Sequence, residues 1–511
     1  MLRAWLARLL KGNQAGAGPA ADAEALVREA LRARAAGEAA AAERLLYRAL
    51  ALVPESAAIH FHLGDLFRAQ GRVEAALQCC EAGVQLAPDF PEGRNNLGSA
   101  LRDAGRLAEA EAEYRRAAAL DPRLPEARYN LGVLLAKRGD LAGAEAEFRE
   151  AAALRPGFAL AQLNLGFTLE ERGEHRAAMQ AYAAAVAADG GLVEAHVNFG
   201  MQLLLAGRYA EGWEEYEWRL RYPEYSGADA AARAPRWDGN ALHGRTILLD
   251  AEQGFGDAIQ FLRYAPLVAA RGGRVIVRCA PELASLIAPA AGIASVVRRG
   301  EALPAIDAWC PLPSLPRAFG TTLSNVPADV PYVRADPEKA ARWRARIAAA
   351  QGDCCVGLVW ASQSGHRTAS AKSVALPALA PLGLVPGVRL YGLQLGAAAR
   401  DLQSAPAGMR LVDLSGELSD FAETAAAIQN LDLVISVDTA VAHLAGAMGR
   451  PVWTLLKLAP DWRWLLGRED SPWYPTMRLF RQERPGDWRA PVARLGEALR
   501  GFADARAGAA R

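Results

Sequence analysis

From residue 23 to about residue 226, apolar positions fall at helical spacing in short stretches that return every 34 residues. Leu63-Gly64, Leu97-Gly98, Leu131-Gly132, Leu165-Gly166 and Phe199-Gly200 mark one place in successive stretches. Glycines return at the same period at Gly37, Gly71, Gly105, Gly139, Gly173 and Gly207, alanines at Ala76, Ala110, Ala144 and Ala178, and prolines at Pro54, Pro88, Pro122 and Pro156. The period predicts a unit of helix, tight turn and helix. Its small residues let the two helices approach, and its proline, lacking an amide hydrogen, ends the second helix. Six units are predicted over 23–226. The first is degenerate, with Glu29-Ala30 where Leu-Gly is expected, which suits the end of a stack.

After Gly207 the pattern changes. The stretch GWEEYEWRLRYPEY places Trp213, Tyr216, Trp218 and Tyr222 at helical spacing. We read this aromatic helix as the joint that buries the end of the stack against the next domain. From Thr246 onward, short apolar runs alternate with amphipathic stretches. TILLDA, RVIVRC, SVVRR, VGLVWA, RLYGLQ, MRLVDL, DLVISVD and PVWTLL read as strands, with helices between them as in doubly wound parallel sheets. A charged helix in PYVRADPEKAARWRARIAAAQGD, ahead of the strand at Val356, divides this region into two α/β lobes, 227–345 and 346–511. Two such lobes imply a cleft, with ligands beyond the carboxyl ends of the strands.

Composition narrows the function. The 511 residues suit about three domains. A formal charge of +1, with basic and acidic residues interleaved, lacks the basic stripe that nucleic-acid binding needs. The six cysteines show no C-x-x-C and no histidine in metal-ligand spacing, which fits a reducing cytoplasm. Residues 1–22 begin MLRAWLARLLKGNQ, an amphipathic segment too short to span a bilayer; it either packs on the first unit or makes a peripheral contact with a membrane surface. No transmembrane segment is read elsewhere.

Three stretches carry candidate chemistry. DAEQGFGDAIQF is a strand, a loop with Gly254 and Gly256, and a helix that places Asp257 at the mouth of the cleft; Asp257 is either a general base or, with Gln260, a capping box. LDLVISVDTAVAHLAGAMGRPV ends a strand at Val437, turns at Asp438 and Thr439 and carries His443 one turn into a helix. The amino end of that helix suits a phosphate, while the plainer alternative is a cap at Asp438 and a satisfied histidine. WASQSGHRTASAKSVALPAL is a polar loop with His366, Arg367, Thr368, Ser370, Lys372 and Ser373; either it is a solvated basic loop or Arg367 or Lys372 stabilises a phosphate leaving group. Neither half holds an Asp-x-Asp element or a P-loop, so no metal and no cofactor is expected.

The 34-residue unit is that of tetratricopeptide repeats. Beyond them, SVDTAVAHLAGAMGRPV and GFGD resemble the motifs of glycosyltransferase family 9, the ADP-heptose:lipopolysaccharide heptosyltransferases, over about residues 247–502. The resemblance implies an α-solenoid of six repeats followed by a GT-B fold of two Rossmann-like lobes, an acceptor lobe and then a donor lobe. It implies Asp257 as catalytic base, Asp438 facing the donor sugar, Thr439 and His443 near the diphosphate, and Lys372 neutralising the phosphates, with a nucleotide-sugar as substrate. Ala440 stands where the family has glycine, and PDWRWLLGREDSPWYPTMRLFRQ, with Trp462, Trp464, Trp473 and Tyr474, differs from the family's Gly-Pro-rich segment. It resembles the bacterial branch that fuses tetratricopeptide repeats to a family 9-like domain. The domain order also resembles O-linked N-acetylglucosamine transferases. Asn96, Asn130, Asn164 and Asn198 precede the Leu-Gly or Phe-Gly pairs on the first helix of their repeats, where they are either repeat consensus or a ladder that binds the backbone of an acceptor peptide.

The function expected is metal-independent, inverting transfer of a sugar from a nucleotide-sugar to a hydroxyl, on a protein held by the repeats. Two alternatives stand beside it: a repeat scaffold with a non-catalytic GT-B domain, and a transferase acting on an envelope glycan or lipopolysaccharide.

Overall fold

The computed structural model describes residues 18–252, 254–347, 353–362, 369–406 and 408–509. Most of the amphipathic N-terminal segment, and His366, Arg367 and Thr368 of the polar loop, lie outside them.

The repeat glycines do two different jobs. Gly37, Gly71, Gly105, Gly139, Gly173 and Gly207 all have φ between 72° and 83°, a left-handed conformation that side chains rarely adopt, and each turns one helix back onto the next. The glycines of three Leu-Gly pairs instead make room for a side chain of the partner helix, an aromatic ring in two of them. A Cβ on Gly98 would sit 2.7 Å from the Tyr114 ring, one on Gly132 2.8 Å from the Phe148 ring, and one on Gly64 2.6 Å from Cys80 Sγ. The periodic alanines Ala76, Ala110, Ala144 and Ala178 are fully buried. Second helices end at Leu52, Leu86, Leu120 and Leu154, two residues before each periodic proline.

The result is a tetratricopeptide solenoid of twelve helices among the described residues, from Pro19–Ala35 to Tyr209–Tyr216. The chain divides into two compact units, the first running to Leu169 and including Ala184–Gly190, the second holding Glu170–Ala183 and everything from Gly191 on. The first unit has its own apolar core, around Val27, Leu46, Leu63 and Phe67 at its amino-terminal end.

In the second unit the helix Tyr209–Tyr216 passes into a 3-10 turn, Glu217–Arg221, so the predicted aromatic helix is shorter than its spacing suggested. The tighter turn points Arg219 inward, where it donates to Glu252 at 2.8 Å and to Ser314 Oγ at 2.7 Å. Trp213 and Tyr216 are buried, as a joint requires.

Two parallel sheets follow. The first has the order β3-β2-β1-β4, with β1 Thr246–Asp250, β2 Arg274–Cys279, β3 Ser295–Arg298 and β4 Ala308–Pro311. The second has the order β10-β9-β8-β5-β6-β7, with β5 Cys354–Val359, β6 Val388–Gly392, β7 Leu411–Asp413, β8 Leu433–Val437, β9 Val452–Leu456 and β10 Met477–Arg481. Counted within each lobe, the strands run 3-2-1-4 and 3-2-1-4-5-6, the doubly wound order in which the chain leaves strands 1 and 4 in opposite directions and opens a crevice at their carboxyl ends. Those strands are β1 and β4 in the first sheet and β5 and β8 in the second. The sequence pattern had missed β4 and β10. β4 is four residues ending in proline, and β10 mixes two arginines with Met477, Leu479 and Phe480 inside the tryptophan-rich tail.

Candidate active site

Asp257 is the third residue of the helix Phe255–Phe261, which follows β1. It does not cap that helix, whose N-cap is Gly254, and it forms no capping box with Gln260. Both side chains are instead turned to one guanidinium. Arg463 donates through Nη2 to Asp257 and through Nε to Gln260 Oε1 at 2.5 Å, and its Nη1 lies 2.8 Å from Asp461 Oδ1. Gly256, in the GFGD motif, lets this helix meet the second-lobe helix Ala440–Ala447: a Cβ there would sit 2.8 Å from His443 Cδ2 and 3.7 Å from the Cα of Ala440.

On the second sheet, the chain leaving β5 is fixed by Gln394, whose Oε1 accepts from the backbone N–H groups of Trp360 at 3.1 Å and Ala361 at 2.8 Å. It returns at Lys372, in the short helix Ala369–Lys372. The chain leaving β8 passes Asp438 and Thr439 before the helix Ala440–Ala447. Lys372 Nζ donates to Asp438 Oδ2 at 2.6 Å, so these two predicted residues meet at the carboxyl ends of β5 and β8. Asp438 is therefore an ion-pair partner and not the cap. Thr439 takes the N-cap position without a side-chain hydrogen bond to the helix, its hydroxyl lying 2.9 Å from Ser436 Oγ.

His443 is buried, with Nδ1 2.8 Å from the Tyr474 hydroxyl and its ring stacked at 5.2 Å on Trp464. Burial, and then the nearby Arg463 charge, lower its pKa to about 3, so the ring is neutral at physiological pH. Burial pushes Asp257 up, with Arg463 opposing. Burial also works against the charged forms of Lys372 and Asp438, yet Lys372 is raised, chiefly by Asp438, and Asp438 is lowered, chiefly by Lys372, so both remain charged. The arrangement can therefore present a carboxylate to a proton and two cations to an anion, next to a helix amino end.

The predicted asparagines sit on first helices of the repeats. In the first unit, Asn96 Nδ2 lies 3.4 Å from Asp65 Oδ2, Asn130 donates to Asn95 Oδ1 at 2.9 Å, and Asn164 donates to the Tyr129 hydroxyl at 3.1 Å and to the Leu160 carbonyl at 3.0 Å. Their amide hydrogens thus bridge neighbouring repeats. Asn198 lies in the second unit and is partly buried.

Sequence reasoning missed Arg463, Asp461 and Gln260 as one group. The available signal was an arginine between two tryptophans, at Trp462-Arg463-Trp464. Among the described residues no three His, Cys, Asp or Glu side chains form a metal-binding group, and no helix is long and apolar enough to cross a membrane.

Residues 388–465 match the model of glycosyltransferase family 9 (heptosyltransferase), and residues 33–97, 98–139 and 126–155 match tetratricopeptide repeat models. The family 9 match includes Asp438, Thr439, His443 and Arg463, and leaves out Asp257 and Lys372. Protein FlbA of Caulobacter vibrioides is 31% identical over 326 residues, 59% of this chain and 54% of FlbA, so the chain spans about half the length of the curated relative it matches. Among solved structures, Pseudomonas aeruginosa PilF is 20% identical, covering 42% of this chain and 99% of PilF with a TM-score of 0.38. A thermophilic tetratricopeptide protein of Thermus thermophilus, TTC0263, is 23% identical, covering 36% of this chain and 99% of TTC0263 with a TM-score of 0.32. The chain thus joins tetratricopeptide repeats to a glycosyltransferase family 9 domain in its C-terminal region.

Proposed function

We propose that this chain transfers a sugar from a nucleotide-sugar to a hydroxyl of a protein held by its repeats, in the cytoplasm, where its six free thiols stay reduced. The observation that carries the reading is the gathering at one point of groups from strand ends of both sheets: Asp257 after β1, Lys372 after β5, Asp438 after β8 and Arg463 after β9. We assign the two lobes to the GT-B fold. The acceptor oxygen attacks the anomeric carbon from the side opposite the diphosphate. As that bond forms, the bond from the anomeric carbon to the phosphate oxygen breaks, its electron pair leaves with the nucleoside diphosphate, and the hydroxyl proton passes to Asp257. One displacement inverts the anomeric centre. Lys372, Thr439 and the amino end of Ala440–Ala447 meet the departing charge, and Asp438 faces the sugar while holding Lys372. His443, neutral and fixed by Tyr474, lines the same place. Because side chains supply the positive charge, the reaction needs no metal ion. On the repeats, the carbonyl oxygens of Asn96, Asn130, Asn164 and Asn198 are acceptors for the backbone N–H groups of the protein substrate.

The test follows a labelled sugar from nucleotide-sugar donors into protein. Asp257→Asn should lower the rate about 100-fold or more without loss of nucleoside diphosphate binding, and the wild type should keep its rate in EDTA. An unchanged rate in Asp257→Asn removes the base; loss in EDTA reversed by a divalent ion overturns the metal-free mechanism. The scaffold reading has one observation in its favour, the ion pair that closes Asp257, and nucleoside diphosphate binding with no transfer to any acceptor would support it.

A further inference from the structure

The reacting groups are paired with one another in a way that holds the site shut. Three carboxylates, Asp257, Asp438 and Asp461, face two cations, Lys372 and Arg463. Lys372 is engaged by Asp438, and the buried guanidinium of Arg463 is divided among Asp257, Asp461 and Gln260, with each of its three nitrogens occupied. This closed set has two consequences for glycosyl transfer. A carboxylate that accepts a guanidinium hydrogen bond is a poor acceptor for a hydroxyl proton. An entering diphosphate would also find Lys372 and Arg463 both already engaged by carboxylates.

A single movement removes both obstacles. Resting on the reading of Asp257 as base and of the β5 and β8 ends as the diphosphate site, we propose that Arg463 is a switch arm, which leaves Asp257 for the donor's diphosphate and so frees the base only when the donor is bound. Asp461, two residues earlier on the same loop, keeps its hold on Nη1 during the exchange. Once the guanidinium has gone, burial acts on Asp257 unopposed by its nearest cation and the carboxylate becomes a stronger base. The order of binding follows: the donor enters first, and the acceptor hydroxyl finds a free carboxylate second. Water that enters without a donor meets a base already occupied.

The arm makes a prediction that a static bridge does not. Removing the charge of Asp257 releases Arg463 in advance, so Asp257→Asn should bind phosphates more tightly. The probes are pyrophosphate, ADP, GDP and UDP, titrated calorimetrically into four versions of the full chain: wild type, Asp257→Asn, Arg463→Gln and the double variant. Asp257→Asn should gain about five- to tenfold in affinity for the best of these probes, and Arg463→Gln should lose about tenfold or more, the size of a charge-assisted contact to phosphate. In the Arg463→Gln background the Asp257→Asn gain should vanish. A gain of equal size in both backgrounds would mean that Asp257 acts by repulsion through space, and would overturn the arm. So would an unchanged affinity in Arg463→Gln, or no binding of any probe to either the wild type or Asp257→Asn. Because Arg463 is buried, Arg463→Lys serves as the second variant: it keeps the charge, and should recover part of the affinity if the arm is right and none if Arg463 only supports the fold. The base is tested separately. If Asp257→Asn still transfers sugar while the binding cycle comes out as expected, the base assignment and the freeing of a base fail, and only the exchange of Arg463 from Asp257 to phosphate stands.

Discussion

His443 should make the second unit sensitive to acid well above the range where carboxylates titrate. Its pKa falls from 6.5 to about 3 through burial and the neighbouring Arg463 charge. Between those values the unfolded chain binds a proton that the folded one refuses, so folding stability rises with pH across the window and is lost as pH falls through it. Moving from pH 7 to pH 5 should cost about 2 kcal/mol from this one ring, since each unit below 6.5 contributes about 1.4 kcal/mol. Asp438, lowered from 3.8 to about 2, gives stability that is lost only as pH falls between those values, below the pH 7 to pH 5 range compared here. Asp257, raised by burial, acts in the opposite sense and is common to both proteins compared. The comparison is wild type against His443→Gln, which keeps an amide for the Tyr474 hydroxyl and cannot be protonated. Eleven of the twelve tryptophans, all except Trp5, fall in the second unit, so fluorescence in a urea titration reports on that unit. The stability difference between the two proteins should move by about 2 kcal/mol in favour of the variant between pH 7 and pH 5. Parallel profiles over that range would show that His443 titrates normally and that its buried, neutral state is wrong.

Two further outcomes are expected. Gly256→Ala should lower both transfer and the melting temperature, at a cost of about 1–3 kcal/mol, because its methyl would sit 2.8 Å from a His443 ring that Tyr474 and Trp464 hold in place; thermal melting that matches wild type would show that the two helices can part without cost. Changing Asn96, Asn130 and Asn164 together to Ala should raise KM for a protein acceptor while sparing kcat on a short one, and, because these amides bridge repeats, should lower stability by about 0.5–1.5 kcal/mol per good hydrogen bond; unchanged acceptor kinetics in a folded variant would return them to repeat consensus.

What was legible in the sequence follows from how local its causes are. The repeats are legible because Gly64, Gly98 and Gly132 each seat a side chain sixteen residues later, Cys80, Tyr114 and Phe148, so one packing rule is written out again every 34 residues. The placement of Asp257, Lys372 and Asp438 near strand ends is legible because each comes after a recognisable apolar run, and the ends of parallel strands are where such sheets bind ligands. The capping alternatives at Asp257 and Asp438 were equally local readings, and they fail because each side chain has a stronger partner elsewhere. That partner is what the sequence could not disclose: Arg463 lies 206 residues from Asp257, and no spacing encodes a contact of that length. Arg219 is a similar case, tied to Glu252 across 33 residues and to Ser314 across 95.

The loop after β9 shows why the last repeats and the site cannot be treated as separable parts. At its start, Lys457 Nζ lies 3.0 Å from Glu171 Oε1, and Leu458 packs against the turn at Gly173, where a Cβ would come within 3.1 Å. In its middle, the Trp462 ring stands edge-on to Trp213 at 5.2 Å and to Tyr209 at 6.4 Å, and both of those residues belong to the last repeat. The residue after Trp462 is Arg463, whose guanidinium holds Asp257. A stretch of seven residues, 457–463, therefore begins on one repeat, is wedged under another and ends on the proposed base. Buried aromatic contacts of this kind are worth several kcal/mol when a ring is removed, so the position of Arg463 depends on the repeat helices that seat Trp462. Removing those helices would expose the tryptophans and release the guanidinium, and the family 9 domain left behind would lack the support that sets its own charge arrangement.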